Sequence, residues 1–318
     1  MTRAETAAFL REHDNYCILT HRRPDGDTIG SSAALCLGLR AMGKTAWLLR
    51  NPQFTPRFAA VLEGLVCEDV PDEATIVSVD VAAPDLLPIG REGLAEQVQL
   101  VIDHHARSSV SAEHRLVEAE RAACGEIIFG LLELLGVSPD ARMAEAIYIA
   151  VSTDTGCFVY SNTTPRSHRI AAQLMDCGID VAPVNKALFR TKSAVRLAME
   201  ARMVAGMERC DAGRVVVMQI PLSLRQELHA TDADIEELSA LAAQVEGTDC
   251  GVTLRELRPG TVKLSLRTGP RVNATEVCRL LGGGGHAAAA GATVSGTMAQ
   301  AKSAVLTAIA QVIGPLAP

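Results

Sequence analysis

The chain is poor in aromatic residues. They make up 3% of its 318 residues, with one Trp, three Tyr and six Phe. Ala, Val, Leu and Ile must therefore fill the interiors, and few ring faces remain for stacking a long single strand of nucleic acid. A basic excess is missing too. Thirty Lys and Arg stand against 37 Asp and Glu, for a formal net charge of −7. A protein that grips a long polyanion carries a basic stripe. Short anions stay open, provided metals or a local cluster supply positive charge, and −7 is also an ordinary solubility charge. No run of eighteen apolar residues occurs, so nothing is expected to span a membrane. The first residues, Met-Thr-Arg-Ala-Glu-Thr, lack a signal-peptide apolar core. The nine cysteines form no CxxC pair and lie in apolar stretches such as Leu35-Cys36-Leu37. An odd number without a framework predicts reduced, mostly buried thiols and a cytoplasmic protein.

What is present is organised. At this length two domains are expected. Residues 16–20 (YCILT) read as a strand ending at His21, 30–42 as a helix stopped by Gly43, and 45–49 as the next strand. Residues 75–79 (TIVSV) end at Asp80, and 98–102 (VQLVI) end at Asp103. This alternation predicts an α/β fold with a parallel sheet and helices on both faces. Helices are also expected at 126–135, closed by Gly136, at 141–152, at 165–177, and at 184–208 as a bridge. From Arg214 the pattern restarts: a strand at 215–220, a helix at 232–245, a hairpin of 251–257 with 262–267, short and long helices at 273–281 and 296–313. The expected division is a catalytic domain over 1–185, a linker helix over 186–210 and a smaller α/β domain over 211–318.

His21, Asp80 and Asp103 each follow a predicted strand, and ligands of open parallel sheets bind at the carboxyl ends of strands. His21-Arg22-Arg23-Pro24-Asp25-Gly26-Asp27 offers an imidazole and two carboxylates on a turn that Pro24 and Gly26 shape. Such ligands suit Mn, Fe, Co or Zn better than calcium, although a DxD turn also occurs in solvated loops. Asp80, after an apolar strand, is costly unless paired or metal-bound, unless it caps the next helix. Asp103-His104-His105 reads as a ligand, an orienting group and a substrate contact, or as two surface histidines. Asp154, within Ser-Thr-Asp-Thr-Gly, sits at a helix end that the macrodipole disfavours for an anion. A cation would hold it there. The His and Asp count suits two ions sharing a bridging carboxylate. A second element is the four-glycine run 282–285 followed by His286, which reads as a phosphate-binding loop or as a hinge. Arg267, at the end of the preceding strand, favours anion binding.

These motifs resemble the DHH phosphoesterase superfamily: His21-xx-Pro24-Asp25-Gly26-Asp27, Asp80 after TIVSV, the signature Asp103-His104-His105, and Asp154 in STDTG. The second half resembles the DHH-associated domain through Gly283-Gly284-Gly285-His286 and the following AAAAG. By length and layout the chain is similar to the group of bifunctional short-oligonucleotide ribonucleases and pAp phosphatases. It shows no sign of the sensor, anchor or OB domains of other superfamily members. The resemblance implies two divalent ions, most readily Mn2+ with Mg2+ or Co2+ as alternatives. His21 and Asp25 would hold the first, Asp27, His104 and Asp154 the second, and Asp80 would bridge them. Asp103 would stand behind the ligands, and His105 would face the substrate phosphate, so that His105, Asp103 and Asp80 form the catalytic group. Arg267, Gly283, Gly284, Gly285 and His286 would grip the substrate end, with Asn273 and Arg190 as weaker candidates.

The activity so implied is hydrolysis of two- to five-nucleotide RNAs, with pAp as a second substrate, in a cleft that measures length. The expected partners are short oligoribonucleotides or small nucleotides, with no long duplex and no membrane; a homodimer stays open. The alternatives are a soluble cyclic-di-AMP or linear dinucleotide phosphodiesterase, and a nucleotide-binding regulator without turnover.

Overall fold

The computed structural model describes residues 1–235 and 238–317. The chain divides into two units, 1–191 and 192–318.

In the first unit, α1 (Arg3–Glu12) opens on a Thr2 capping box. It is followed by β1 (Tyr16–Leu19), α2 (Gly26–Ala41), β2 (Ala46–Leu49), α3 (Ala59–Leu62), β3 (Val66–Cys67), β4 (Thr75–Val79), β5 (Leu100–Asp103) and β6 (His114–Val117). α4 (Cys124–Leu135), α5 (Ala141–Asp154), α6 (Pro165–Asp176) and α7 (Val181–Asn185) complete it. β1, β4 and β5 are buried at every position, as strands covered on both faces must be. All strand pairs are parallel, in the order β3-β2-β1-β4-β5-β6. Alternation splits the side chains between two cores. Tyr16, Ile18, Val77, Val79, Leu100 and Ile102 pack with Ile29, Leu35, Ile127 and Ile147 of the helices. Cys17, Leu19, Ile76 and Val101 pack with Val81, Leu87, Ala95 and Val110. That second face is covered by short 3-10 turns, Pro84–Leu86 and Glu92–Gln97, and by loop. The long helices gather on the other face.

Two expected elements differ in the first unit and its end. α2 begins at Gly26, four residues before the expected start, because Asp25 caps it by accepting from the amides of Asp27 and Thr28. The Asp25-Gly26-Asp27 segment is thus a helix start rather than a free turn. Gly26 is required by packing: a Cβ there would lie 2.4 Å from the Thr153 side chain. The linker helix expected over 186–210 is not one helix. Lys186–Arg190 is a single π-helical turn, Thr191 is extended, and Ser193 caps a new helix by accepting from Arg196 N.

That helix is α8 (Ala194–Ala205), which stops before Gly206 and opens the second unit. β7 (Glu208–Cys210), β8 (Val215–Ile220), α9 (Leu222–Glu227), α10 (Asp232–Ile235), β9 (Cys250–Arg258), β10 (Thr261–Thr268), α11 (Ala274–Leu280), β11 (Gly284–His286), β12 (Ala289–Ser295) and α12 (Met298–Ile313) follow. Among the described residues the sheet order is β11-β12-β10-β9-β8-β7. Only β8 and β9 run parallel in it. The helix expected over 232–245 is short at its start, and residues 236–237 lie outside the described residues. Leu238–Gln244 is 3-10, pressed against β9 where a Cβ on Gly251 would lie 2.3 Å from Ala243 N. One core lies under α11 and α12, and another joins α8 to the opposite sheet face.

Candidate metal centre

β1 and β4 are neighbours in the middle of the first sheet. The chain builds outward from β1 through β2 and β3, then from β4 through β5 and β6. The carboxyl ends of β1 and β4 therefore flank the point where strand order reverses, which is where open α/β sheets bind ligands. His21 stands two residues past β1 and Asp80 one residue past β4. Asp103 ends β5, and His104 and His105 follow it. α2 starts at the same edge and brings Asp25 and Asp27. Asp154, the last residue of α5, arrives there because Thr153 packs on Gly26.

The side chains converge. His21 Nε2 is 3.4 Å from Asp25 Oδ1 and 3.8 Å from Asp80 Oδ2. His104 Nε2 is 3.4 Å from Asp80 Oδ1, 3.3 Å from Asp154 Oδ2 and 3.6 Å from Asp27 Oδ2. Two groups of three, His21 with Asp25 and Asp80, and Asp27 with His104 and Asp154, each present ligand atoms within 4.8 Å of one another; Asp80, His104 and His105 form a third. Asp80 touches both histidines and so links the groups.

Backbone carbonyls orient the rings. Nδ1 of His21 is 2.8 Å from the carbonyl of Arg22, and Nδ1 of His104 is 3.1 Å from that of Arg121. A carbonyl only accepts, so each Nδ1 carries a proton and each Nε2 is turned toward the carboxylates. Asp27 is fully buried. It accepts from Ser31 Oγ (2.8 Å) and from the amides of Cys124 (2.6 Å) and Gly125 (3.0 Å), at the start of α4. Asp103 accepts at Oδ1 from the amides of His104 and His105 and from His105 Nδ1 (2.8 Å). His105 is thereby held with Nε2 outward.

This concentration of acid is unstable as charge alone. Burial raises the Asp80 carboxyl well above its ordinary value, and Asp27, Asp25, Asp154 and Asp103 push it further. Burial and nearby carboxylates raise Asp154 to about 8, and burial raises Asp27. At His21 burial opposes protonation, but the hydrogen bond and charge of Asp25 outweigh it and the imidazole is shifted up. Asp80 Oδ1 is buried without a hydrogen-bond partner among the described residues. Two imidazole nitrogens and four carboxylates, one of them with a buried oxygen that lacks a hydrogen bond among the described residues, fit divalent cations that accept nitrogen and oxygen ligands.

All six expected ligands meet in one place, with Asp103 and His105 beside them. Sequence reasoning missed three supports. Ser31 lies four residues past Asp27 on one helix face, a spacing that puts side chains in reach. Asn51 lies two residues past β2, at the same sheet edge, and donates to the His21 carbonyl (2.9 Å). Asn162 donates to the carbonyls of Asp154 and Ala122, both at 3.1 Å; nothing in its surroundings in the sequence marked it.

The second-unit candidates form a separate set. Arg267 lies on β10, with Nη1 donating to the Leu266 carbonyl (3.0 Å). The four-glycine run is a hairpin rather than an open loop: Gly284, Gly285 and His286 pair with Gly291, Ala290 and Ala289. Glycine is required by close approach, since a Cβ on Gly283 would lie 2.2 Å from the Gly291 carbonyl oxygen, and Gly285 has φ 145°. His286 is exposed on this edge strand. Asn273 caps α11, accepting from the amides of Thr275 and Glu276 while Nδ2 donates to Glu276. Its polar atoms are committed to that cap. Arg190, at the end of the first unit, is exposed at the close of the π-helical turn.

Residues 15–151 match the DHH family, N-terminal domain, and residues 213–314 match the DHHA1 domain. A relative from Thermus thermophilus, named bifunctional oligoribonuclease and PAP phosphatase NrnA, is 34% identical over 92% of this chain and 88% of its own. Among solved structures, an exopolyphosphatase-related protein from Bacteroides fragilis superposes with TM-score 0.87 at 23% identity, covering 97% of this chain and 96% of its own. RecJ from Thermus thermophilus, solved in complex with Mn2+, superposes with TM-score 0.56 at 18% identity, over 99% of this chain and 55% of its own. With both domains matched in order and the Thermus relative aligned across nearly the whole chain, the protein belongs to the DHH phosphoesterase family, in its two-domain DHH–DHHA1 form.

Proposed function

We propose that this chain is a Mn2+-dependent phosphoesterase that hydrolyses RNAs of two to five nucleotides and pAp to mononucleotides in the cytoplasm. The observation that carries it is the convergence of His21, Asp25, Asp27, Asp80, His104 and Asp154 around a buried Asp80 oxygen that has no hydrogen-bond partner among the described residues. The name of the Thermus relative supports the substrate class. His21 and Asp25 would hold one ion, Asp27, His104 and Asp154 the other, with Asp80 in reach of both groups. When bound, such ions would supply Lewis-acid polarisation of a phosphoryl group and a more acidic water. The chain's own groups do the rest. Asp103 accepts from His105 Nδ1–H, and with a second proton on the ring Nε2–H would donate to a phosphoryl oxygen or pass that proton to the leaving oxygen. Arg267, His286 and the glycine hairpin bind the substrate's phosphate or sugar, through the positive charge of the arginine and the free edge of β11. No described helix is long and apolar enough to cross a membrane.

A parallel assay with Mn2+ tests this, offering pApA, pAp, cyclic-di-AMP and a 24-nucleotide RNA. Turnover of pApA and pAp well above the other two is expected. Preference for cyclic-di-AMP would replace the proposal with a cyclic-dinucleotide hydrolase, and no metal-dependent turnover of any substrate would end it.

A further inference from the structure

The segment that follows Asp154 is unusual. Gly156, Cys157 and Phe158 have φ of 57°, 58° and 66°, three consecutive left-handed residues, two of them not glycine. Asn162 ties the segment back to Asp154 through its carbonyl. Inside this turn the aromatic rings part company. Phe158 packs inward, stacked on His168 at 5.1 Å and tilted against Tyr148 at 6.1 Å. Tyr160 turns outward and is 60% exposed, beside Val159 at 79%. One side of its ring rests on Gly156: a Cβ there would lie 2.4 to 2.6 Å from Tyr160 Cζ, Cε1 and Cε2. Only ten residues of the chain are Phe, Trp or Tyr, and Tyr160 is the one aromatic among the large exposed apolar side chains of the described residues. It stands six residues from a carboxylate of the metal cluster, backed by the glycine two residues from that carboxylate.

We propose that Tyr160 is a stacking platform for a nucleobase of the substrate, and so a substrate-positioning residue. The inference rests on the phosphoesterase reading above. A ring held from behind by backbone loses little freedom when a base lands on its open face, and stacking tolerates any base because each has a π face. This also accounts for the cost of the left-handed turn: it directs Phe158 into the core and leaves Tyr160 in solvent.

The test uses the Mn2+-loaded full chain and compares wild type with Tyr160→Ala, Tyr160→Leu and Tyr160→Phe. Substrates are pApA and its analogues made abasic at one or the other residue. Stacking is worth enough per base that Tyr160→Ala should raise KM for pApA about tenfold with little change in kcat. Tyr160→Leu should behave like Tyr160→Ala, and Tyr160→Phe like wild type. For the analogue lacking the stacked base, wild type and Tyr160→Ala should have equal KM. Equal KM of all variants on pApA overturns the inference, as does the same KM increase on every substrate. Loss of Mn2+ affinity in both Tyr160→Ala and Tyr160→Leu would assign the ring to holding Asp154 and would also overturn it. Inactivity of wild type on pApA instead defeats the phosphoesterase reading, and the two failures are distinct.

Discussion

Asp80 is 2% exposed, has φ 61°, and leaves Oδ1 without a hydrogen-bond partner among the described residues. Each of these is unfavourable for a carboxylate. Together they describe a side chain whose position serves something other than the stability of the folded chain. Asp80→Asn keeps the shape and removes the negative charge, so the chelated variant should melt at least as high as wild type. Its Mn2+-induced rise in Tm should be lost, and hydrolysis of pApA should fall by at least about 1,000-fold, the scale of losing a central electrostatic group. Retained turnover would refute the role given to Asp80. The same reasoning predicts a pH trend. Asp154 holds its proton up to about 8 in the folded chain against 3.8 for the free group, and Asp80, Asp27 and His21 shift in the same direction. A group raised on folding stabilises below its unfolded pKa, and that contribution is lost as pH rises through the folded value. In chelator, Tm should therefore fall between pH 5 and pH 8. With Mn2+ the drop should shrink, because the ligands bind deprotonated and metal affinity grows with pH. A chelated Tm that climbs across this range would contradict the reading.

The ligands are held by elements that meet closely. A Cβ on Gly30 would lie 2.3 Å from the Ala146 carbonyl oxygen and 2.9 Å from Ala150 N, so α2 touches α5 backbone to backbone. Asp25 and Asp27 stand at the start of α2, and Asp154 at the end of α5. Gly30→Ala should force the helices apart, lower stability by about 1–3 kcal/mol, and weaken Mn2+ binding more than a comparable overpacking change far from these helices. Calorimetric metal titration beside chemical denaturation separates the two effects. The strand ends were readable from the sequence, because an apolar run that stops at His or Asp shows in the order of residues, and three of the six candidate ligands, His21, Asp80 and His104, follow such ends. The start of α2 was not: Pro24 and Gly26 suggest a turn, and only the approach of Thr153, more than a hundred positions away, makes Gly26 necessary for packing. The glycine run hid its nature for the same reason. Its glycines are set by a neighbouring strand, Ala289–Ser295, and local composition carries no record of that contact. The break near Thr191 was legible only in part, since Ser193 is a good cap but the amphipathic pattern runs on past it.

The two units have separate cores, and the candidate residues divide with them. Metal ligands and the His105–Asp103 pair belong to the first, Arg267 and His286 to the second. On the proposed function this is a division between chemistry and grip, and the two should respond differently to substitution. His286→Ala removes an exposed side chain on the edge strand β11 and leaves the hairpin pairing, which is made by backbone, in place. Tm and Mn2+ affinity should be unchanged within error. KM for pApA should rise about tenfold, the loss of one charge-assisted contact to phosphate, while kcat stays within about twofold if the contact is equally strong in ground and transition states. Steady-state kinetics on pApA and pAp would read both parameters. A drop in kcat with unchanged KM would place His286 in the chemistry rather than in binding, and an unchanged KM and kcat would remove the glycine hairpin from the substrate site altogether.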